Sequence, residues 1–422
     1  AREQGIESVA VRDGTLQLPR PGPVGPLTMS AVNVVGTARP SGDVALVASA
    51  AVGREKWTGR IARRADASGS EVDLDVEGVG IAALMGTDAV SEEVIVGTSG
   101  SARFDAAGEA LDATLSISAG AGTLRFGGLD DVALGGAELN LAWRPESRDF
   151  AITPSPIHVD GLELVLGGTV TPPDGDGPWR FQLTVPRARM APPDMTGPPA
   201  EVTQATANGS FDPATLTFTF DDFIAVAPRG TMAGHGKLYV GPGGPRLTMR
   251  AELTAPTDRE TFLKVWPRFV NVSARKWLVD NILSGELVGG SFDVDLGPND
   301  FDADPTTTEP GNKPAEVRFA FEKASVKMPG TMPPLDDVTG EGRIDGPRLS
   351  VDVRSGTMTP PGRGTSVVRP ATLTIERLDQ RPLVNEITAV AEGPAGSLAA
   401  IADAEPLRAL SLLKIDAAGL TG

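Results

Sequence analysis

The chain has 422 residues, with 38 Lys or Arg against 55 Asp or Glu, a net charge of −17 and no cysteine. That balance argues against nucleic-acid binding, which needs clustered cations to displace counterions, and against anchoring to anionic lipid surfaces by charge alone. The missing thiols exclude disulfide frameworks and thiolate metal sites, while Gly 50 and Pro 36 beside 40% hydrophobic residues predict many short strands joined by tight turns.

Period-two alternation marks the strands. It begins at Val9 and Val11, runs past Gly14 to Leu16 and Leu18, and breaks in the Pro/Gly turn 19–26. Val44, Leu46 and Ala48 resume it, followed by Trp57 and Ile61. From Val72 the two sides differ chemically, because Val72, Leu74 and Val76 alternate with Asp73, Asp75 and Glu77. Gly80 to Met85 reads as a short helical or turn segment, and Gly97-Thr98-Ser99-Gly100-Ser101 as a turn, since it lacks the spacing of a nucleophile elbow. Further strands are expected at Leu111 to Ile117, Ala137 to Trp143, Phe150-Ile152, Leu162 to Leu166, Trp179 to Val185, Leu216 to Phe220 and Leu247 to Leu253.

Thr257 to Leu296 interrupts this texture. Thr257 and Glu260 have capping-box spacing, and Phe262, Val265 and Trp266 form an apolar face until Pro267 forces Trp266 out of helical geometry. A second helix is expected to open at Ser273, carry Ala274, Trp277, Leu278 and Ile282 on one side, and end at Gly285. After Gly289-Gly290 the period returns to two at Phe292, Val294 and Leu296. The tryptophans are expected to anchor the helices, with Arg275 on their surface; a gating role is the sharper alternative.

Beyond a polar loop, 297–314, strands restart at Val317, Phe319 and Phe321 and continue through Leu349 to Val353, Leu373-Ile375 and 387–390, before helical patterns at 398–402 and 407–412. Some twenty-five to thirty strands are expected at the usual spacing of turn signals. Three helical interruptions suggest diverged repeats: 1–78, 79–257, a helical insertion 258–296, 297–394, and the start of a further repeat at 395–422. The chain opens at Ala1 and stops at Leu420-Thr421-Gly422, and reads as an excerpt of a longer protein.

The run Trp266-Pro267, Ala274-Arg275-Lys276-Trp277-Leu278, Asn281-Ile282 and Gly285 resembles the helical signature of the AsmA-like family of the YhdP type, related in architecture to TamB. The resemblance implies a mainly β fold: a long, twisted, open β-groove of mostly antiparallel strands with short helical interruptions. It further implies a periplasmic segment whose parent is anchored in the inner membrane and reaches toward the outer membrane. Such a segment conducts phospholipids along an apolar groove, catalyses no reaction and carries no cofactor other than the transported lipid. Its partners would be the two membranes and other envelope proteins at the parent's ends.

Candidate groove-lining residues are Leu216, Phe218, Phe220, Leu247, Met249, Leu253, Phe292, Val294, Leu296, Val317, Phe319, Phe321, Leu373 and Ile375. On residues alone, the same face could be the filled core of a sandwich. A surface or secreted β-solenoid of the adhesin type and a polysaccharide-cleaving enzyme with paired carboxylates are the other classes considered. His158 and His235 stand apart as tolerated surface residues. Asp300, Asp302 and Asp304 alternate like a calcium loop, but Pro305 occupies the glycine place and no glutamate closes it.

Overall fold

A computed structural model describes residues 7–19, 25–53, 55–80, 82–83, 94–124, 131–241, 245–266, 268, 272–297, 316–377 and 384–415, with backbone alone at 272–274. The protein is mainly β, with open antiparallel sheet and few short helices. The first described strands are β1 (Ser8–Leu18), β2 (Leu27–Ala38), β3 (Val44–Val52), β4 (Glu55–Ala65), β5 (Gly69–Gly80), β6 (Ile95–Asp105), β7 (Ala110–Ala119) and β8 (Gly122–Leu124). Next come β9 (Val132–Arg144), β10 (Asp149–Val159), β11 (Leu162–Thr171), β12 (Trp179–Val185), β13 (Ala188–Met190), β14 (Ala200–Val202), β15 (Gln204–Asp212), β16 (Thr217–Val226) and β17 (Thr231–Tyr239). β18 (Arg246–Ala255) and β19 (Thr257–Asp258) precede the helices α1 (Arg259–Val265) and α2 (Val272–Asn281). The rest are β20 (Ile282–Leu296), β21 (Glu316–Val326), β22 (Leu335–Asp345), β23 (Arg348–Met358), β24 (Ser366–Ile375), β25 (Glu386–Glu392), α3 (Ala395–Asp403) and α4 (Ala409–Leu413).

The chain forms two compact units, Ala1–Phe223 with Gly236–Arg246, and Ile224–His235 with Leu247–Gly422. In the first, β1 to β7 pair in chain order, β7 passes to β9, and β9, β10, β11, β12 and β15 follow, all antiparallel. In the second, β18 pairs with β20, and β20 to β25 continue in chain order. Tight hairpins need left-handed backbone at the turn. The β10–β11 link meets this with Asp160 at φ 47° and Gly161 at φ 80°.

Buried cores gather at one end of the strands. In the first unit, Leu27, Met29, Val32, Ala50, Trp57, Val79 and Val96 pack together with Ala83 against them. These positions are the starts of β2, β4 and β6 and the ends of β3 and β5, which an antiparallel meander brings to one rim. In the second unit, Ile401 of α3 packs on Met358, Val368 and Ala371, and the buried Ser366 and Ser397 hydroxyls share a 2.7 Å hydrogen bond.

Several local expectations are corrected. The N-cap of α1 is Asp258, whose carboxylate accepts from Thr261 N at 2.9 Å; Thr257 instead pairs in β19 and donates to Arg229 O at 3.1 Å. Helix α2 already contains Ser273, so serine does not cap it. Ile282 opens β20, and Gly285 lies inside that strand at φ 142°, where a Cβ would come within 2.9 Å of Ala324 Cα. Close strand approach, rather than a helix stop, calls for this glycine. Gly97 to Ser101 belongs to β6 rather than to a turn. Ala82 and Ala83 are helical, with Gly80 in β5. Trp266 does leave the helix, extended at ψ 117°. Pro267 and Asp300 to Pro305 lie outside the described residues.

Candidate functional site

Strand partners in an antiparallel sheet project to the same side, so the register shows which candidates share a face. In the second unit, Ala251, Phe292, Val317, Ile344, Leu349 and Ile375 form a row across six strands. Beside it runs Leu253, Gly290, Phe319, Gly342, Val351, Leu373 and Ile387 across seven. A third row joins Leu287, Phe321, Gly340, Val353, Ala371 and Ala389. Met249 pairs with Val294 and Leu247 with Leu296 on the same side. Eleven of the expected lining residues, Leu247 through Ile375, therefore share one apolar face.

Glycines let the rings lie along this surface. A Cβ at Gly342 would fall 2.2 Å from Phe319 Cζ, and one at Gly340 would fall 2.8 Å from Phe321 Cζ. Each ring occupies the space above a side-chain-free neighbour, and the two rings sit 6.1 Å apart.

The other side of these strands is ionic. Arg250, Asp293, Glu316, Asp345 and Arg348 make one register row. Arg343 bridges Glu316 and Asp345 at 3.4 and 2.8 Å. Hydrated charge thus lies one residue away from hydrocarbon on β18 and on β20 to β23.

Leu216, Phe218 and Phe220 lie in the first unit. Phe218 and Phe220 cluster with Phe181, at 6.4 and 5.6 Å between centroids, and Phe211 lies 4.5 Å from Phe218, its ring tilted by 31°. Leu216 is corrected: it ends the turn before β16 at φ 53°, outside the strand alternation. The first unit also carries a row outside the candidate set: Gly36, Leu46, Ile61, Leu74, Gly100, Leu115, Leu141, Ile152, Gly168, Leu183 and Ala207. Its signal is the alternation around Leu74, which is visible in the sequence but says nothing of the neighbouring strands.

A second protein layer would bury these rows. Instead Phe292, Phe319, Phe321, Leu373, Leu46, Leu74 and Leu141 are half-buried, and Ile61 is 42% exposed. Full burial is confined to scattered positions such as Ala251 and Ile375 and to the cores at the rims. A hollow of about 570 Å3 in the first unit is lined both by polar side chains, among them Ser99, Thr114, Ser116 and Asn140, and by Leu74, Leu115 and Leu141 of the apolar row. Its polar side chains bond one another, as in the 2.7 Å bond from Ser116 to Asn140.

The helical signature forms a tied pair packed on β20. Arg275 is buried and donates to Leu263 O at 3.0 Å and Trp266 O at 3.3 Å. Arg259 reciprocates from α1 to Val279 O at 2.8 Å. Each arginine satisfies carbonyls near the C-terminal end of the opposite helix, which lack partners within their own helix. The expectation that Arg275 sits on the surface is therefore wrong; no sequence signal distinguishes such an arginine from a solvated one. Trp266 meets Phe262 edge-on at 5.4 Å and Leu278 is half-buried. Trp277 is 37% exposed, so it does not serve as a fully packed anchor.

Family models, curated proteins and solved structures return no match to this chain. Among the described residues no group of three or more His, Asp or Glu could hold a metal ion, and His158 and His235 are both exposed strand residues. The resolved carboxylate shifts accompany local contacts: Arg103 holds Asp112 below the ordinary range, and Arg144, then Ser147, do the same for Asp149. No helix among the described residues is long and apolar enough to cross a membrane.

Proposed function

We propose that the apolar face carries the acyl chains of phospholipids, and that the chain is a segment of an AsmA-like, YhdP-type lipid-transfer protein. Its setting would be the periplasm, within a parent anchored in the inner membrane that passes lipid to the outer membrane. The observation that carries this reading is the unbroken run of apolar residues and glycines from strand to strand, half-exposed and backed by an ionic surface.

Burial of methylenes is non-directional and contributes roughly 0.8 kcal/mol each, so such a face holds a tail without fixing its position. Sliding along a row crosses no charge. At about 4.8 Å per strand, a seven-strand row spans about 29 Å, comparable to the ~30 Å hydrocarbon thickness of a bilayer. Antiparallel pairing throughout the described strands favours this reading over a surface β-solenoid, whose coils stack strands in parallel.

Organic extraction of the purified chain followed by mass spectrometry tests the proposal. Co-purified phospholipid is the expected result. Lipid-free protein that also fails to take up phospholipid from vesicles would overturn it.

A further inference from the structure

One outer row of the first unit holds a charge amid hydrocarbon: Ala38, Val44, Arg63, Val72, Ala102 and Ala113 are successive register partners. This row shares its side with Leu46, Ile61 and Leu74, two residues further along each strand. It lies at the rim opposite the buried core, where Val44 is 41% exposed. The three apolar rows of the second unit contain no such residue.

Arg63 also differs from Arg64 and Arg103. Arg64, on the ionic side, bridges Glu71 at 3.1 Å and Asp73 at 2.8 Å, and Arg103 bonds Asp112 with its Nε at 2.7 Å. Arg63 is exposed and makes no ion pair with any described residue. Asp43, beside Val44 in sequence, already accepts from Ser41 Oγ at 2.7 Å and Ala65 N at 3.2 Å.

We infer that Arg63 is a headgroup contact, receiving the phosphate of an anionic phospholipid whose tails lie on Leu46, Ile61 and Leu74; this rests on the lipid-carrying reading above. An arginine stem can lie along apolar surface while its guanidinium stays hydrated. The planar fork offers two parallel donors to phosphate oxygens, which a lysine ammonium does not reproduce. In a chain of net charge −17, the general field repels anionic headgroups, so local recognition falls to a cation that no carboxylate has neutralised.

The test uses the whole chain and compares uptake of phosphatidylglycerol, diacylglycerol with the same tails, and soluble glycerol phosphate, read by native mass spectrometry. Wild type is expected to favour phosphatidylglycerol over diacylglycerol by roughly fivefold, the scale of an exposed charge-assisted contact, and to leave glycerol phosphate unbound. Arg63→Gln should remove that preference and leave diacylglycerol uptake intact, Arg63→Lys should restore part of it, and Arg64→Gln should not alter it. Equal preference in wild type and Arg63→Gln, an equal loss in Arg64→Gln, or binding of glycerol phosphate alone would each overturn the headgroup assignment. Uptake of neither lipid by wild type would instead overturn the lipid reading beneath it.

Discussion

Replacing Phe319 by Asp separates an open face from a filled core. The ring is half-buried, lies over Gly342 and sits 6.1 Å from Phe321. Fully burying a phenylalanine stabilises by about 1.5–3 kcal/mol, so half of that, about 1 kcal/mol, is at stake here. Loss of the ring pair adds about 0.5–1 kcal/mol. The carboxylate would stay hydrated, so no large desolvation cost arises. Urea unfolding should therefore show a loss of about 1.5–2 kcal/mol with an unchanged slope, while lipid uptake falls because a charge interrupts the row. In a filled core the unpaired carboxylate would cost several kcal/mol more. A loss above about 4 kcal/mol, or collapse of the second unit, would refute the open-face argument.

Three other perturbations follow from the same geometry. Gly342→Val should push the Phe319 ring off its resting place and destabilise by about 1–3 kcal/mol, as overpacking does, which thermal melting would detect. Arg275→Ala should cost about 2–3 kcal/mol by stranding the Leu263 and Trp266 carbonyls, with faster hydrogen exchange confined to α1 and α2; Arg275→Lys should rescue it poorly. Asp149 has a folded pKa held below its unfolded value, first by Arg144 and then by Ser147. Its contribution is present above the unfolded pKa and is lost as pH falls through the folded one. Asp149→Asn should therefore flatten the acid limb of a stability-versus-pH curve, and an unaltered limb would contradict that sign.

Much of the apolar face is legible in the sequence, because alternation of period two is local: Phe292-Val294-Leu296 and Val317-Phe319-Phe321 announce their side unaided. Which strand lies beside which residue is a matter of register, and no single strand reveals it. Phe319 over Gly342 joins positions in separate hairpin arms, so the glycine's purpose is invisible in the sequence. Leu216 escapes the pattern because the turn from Asp212, whose carboxylate accepts from Ala214 N at 2.9 Å, holds it at positive φ just outside the alternating segment. Thr257 and Asp258 are both good N-caps by type, and only the pairing of Thr257 with Leu287 decides between them. Gly285 admits two readings for similar reasons. A glycine after a helix stops it, or serves a strand that follows at once.

Rows that are already half wet in the folded chain shape its thermodynamics. Unfolding exposes less new apolar surface per residue than it does for a globular chain of equal length, so the heat-capacity increment should fall below the usual ~12–15 cal/mol/K per residue. The stability curve would then be shallow, varying little between cold and warm conditions. Guest tails that dry the face would deepen its curvature, giving calorimetry a readout of occupancy that needs no label.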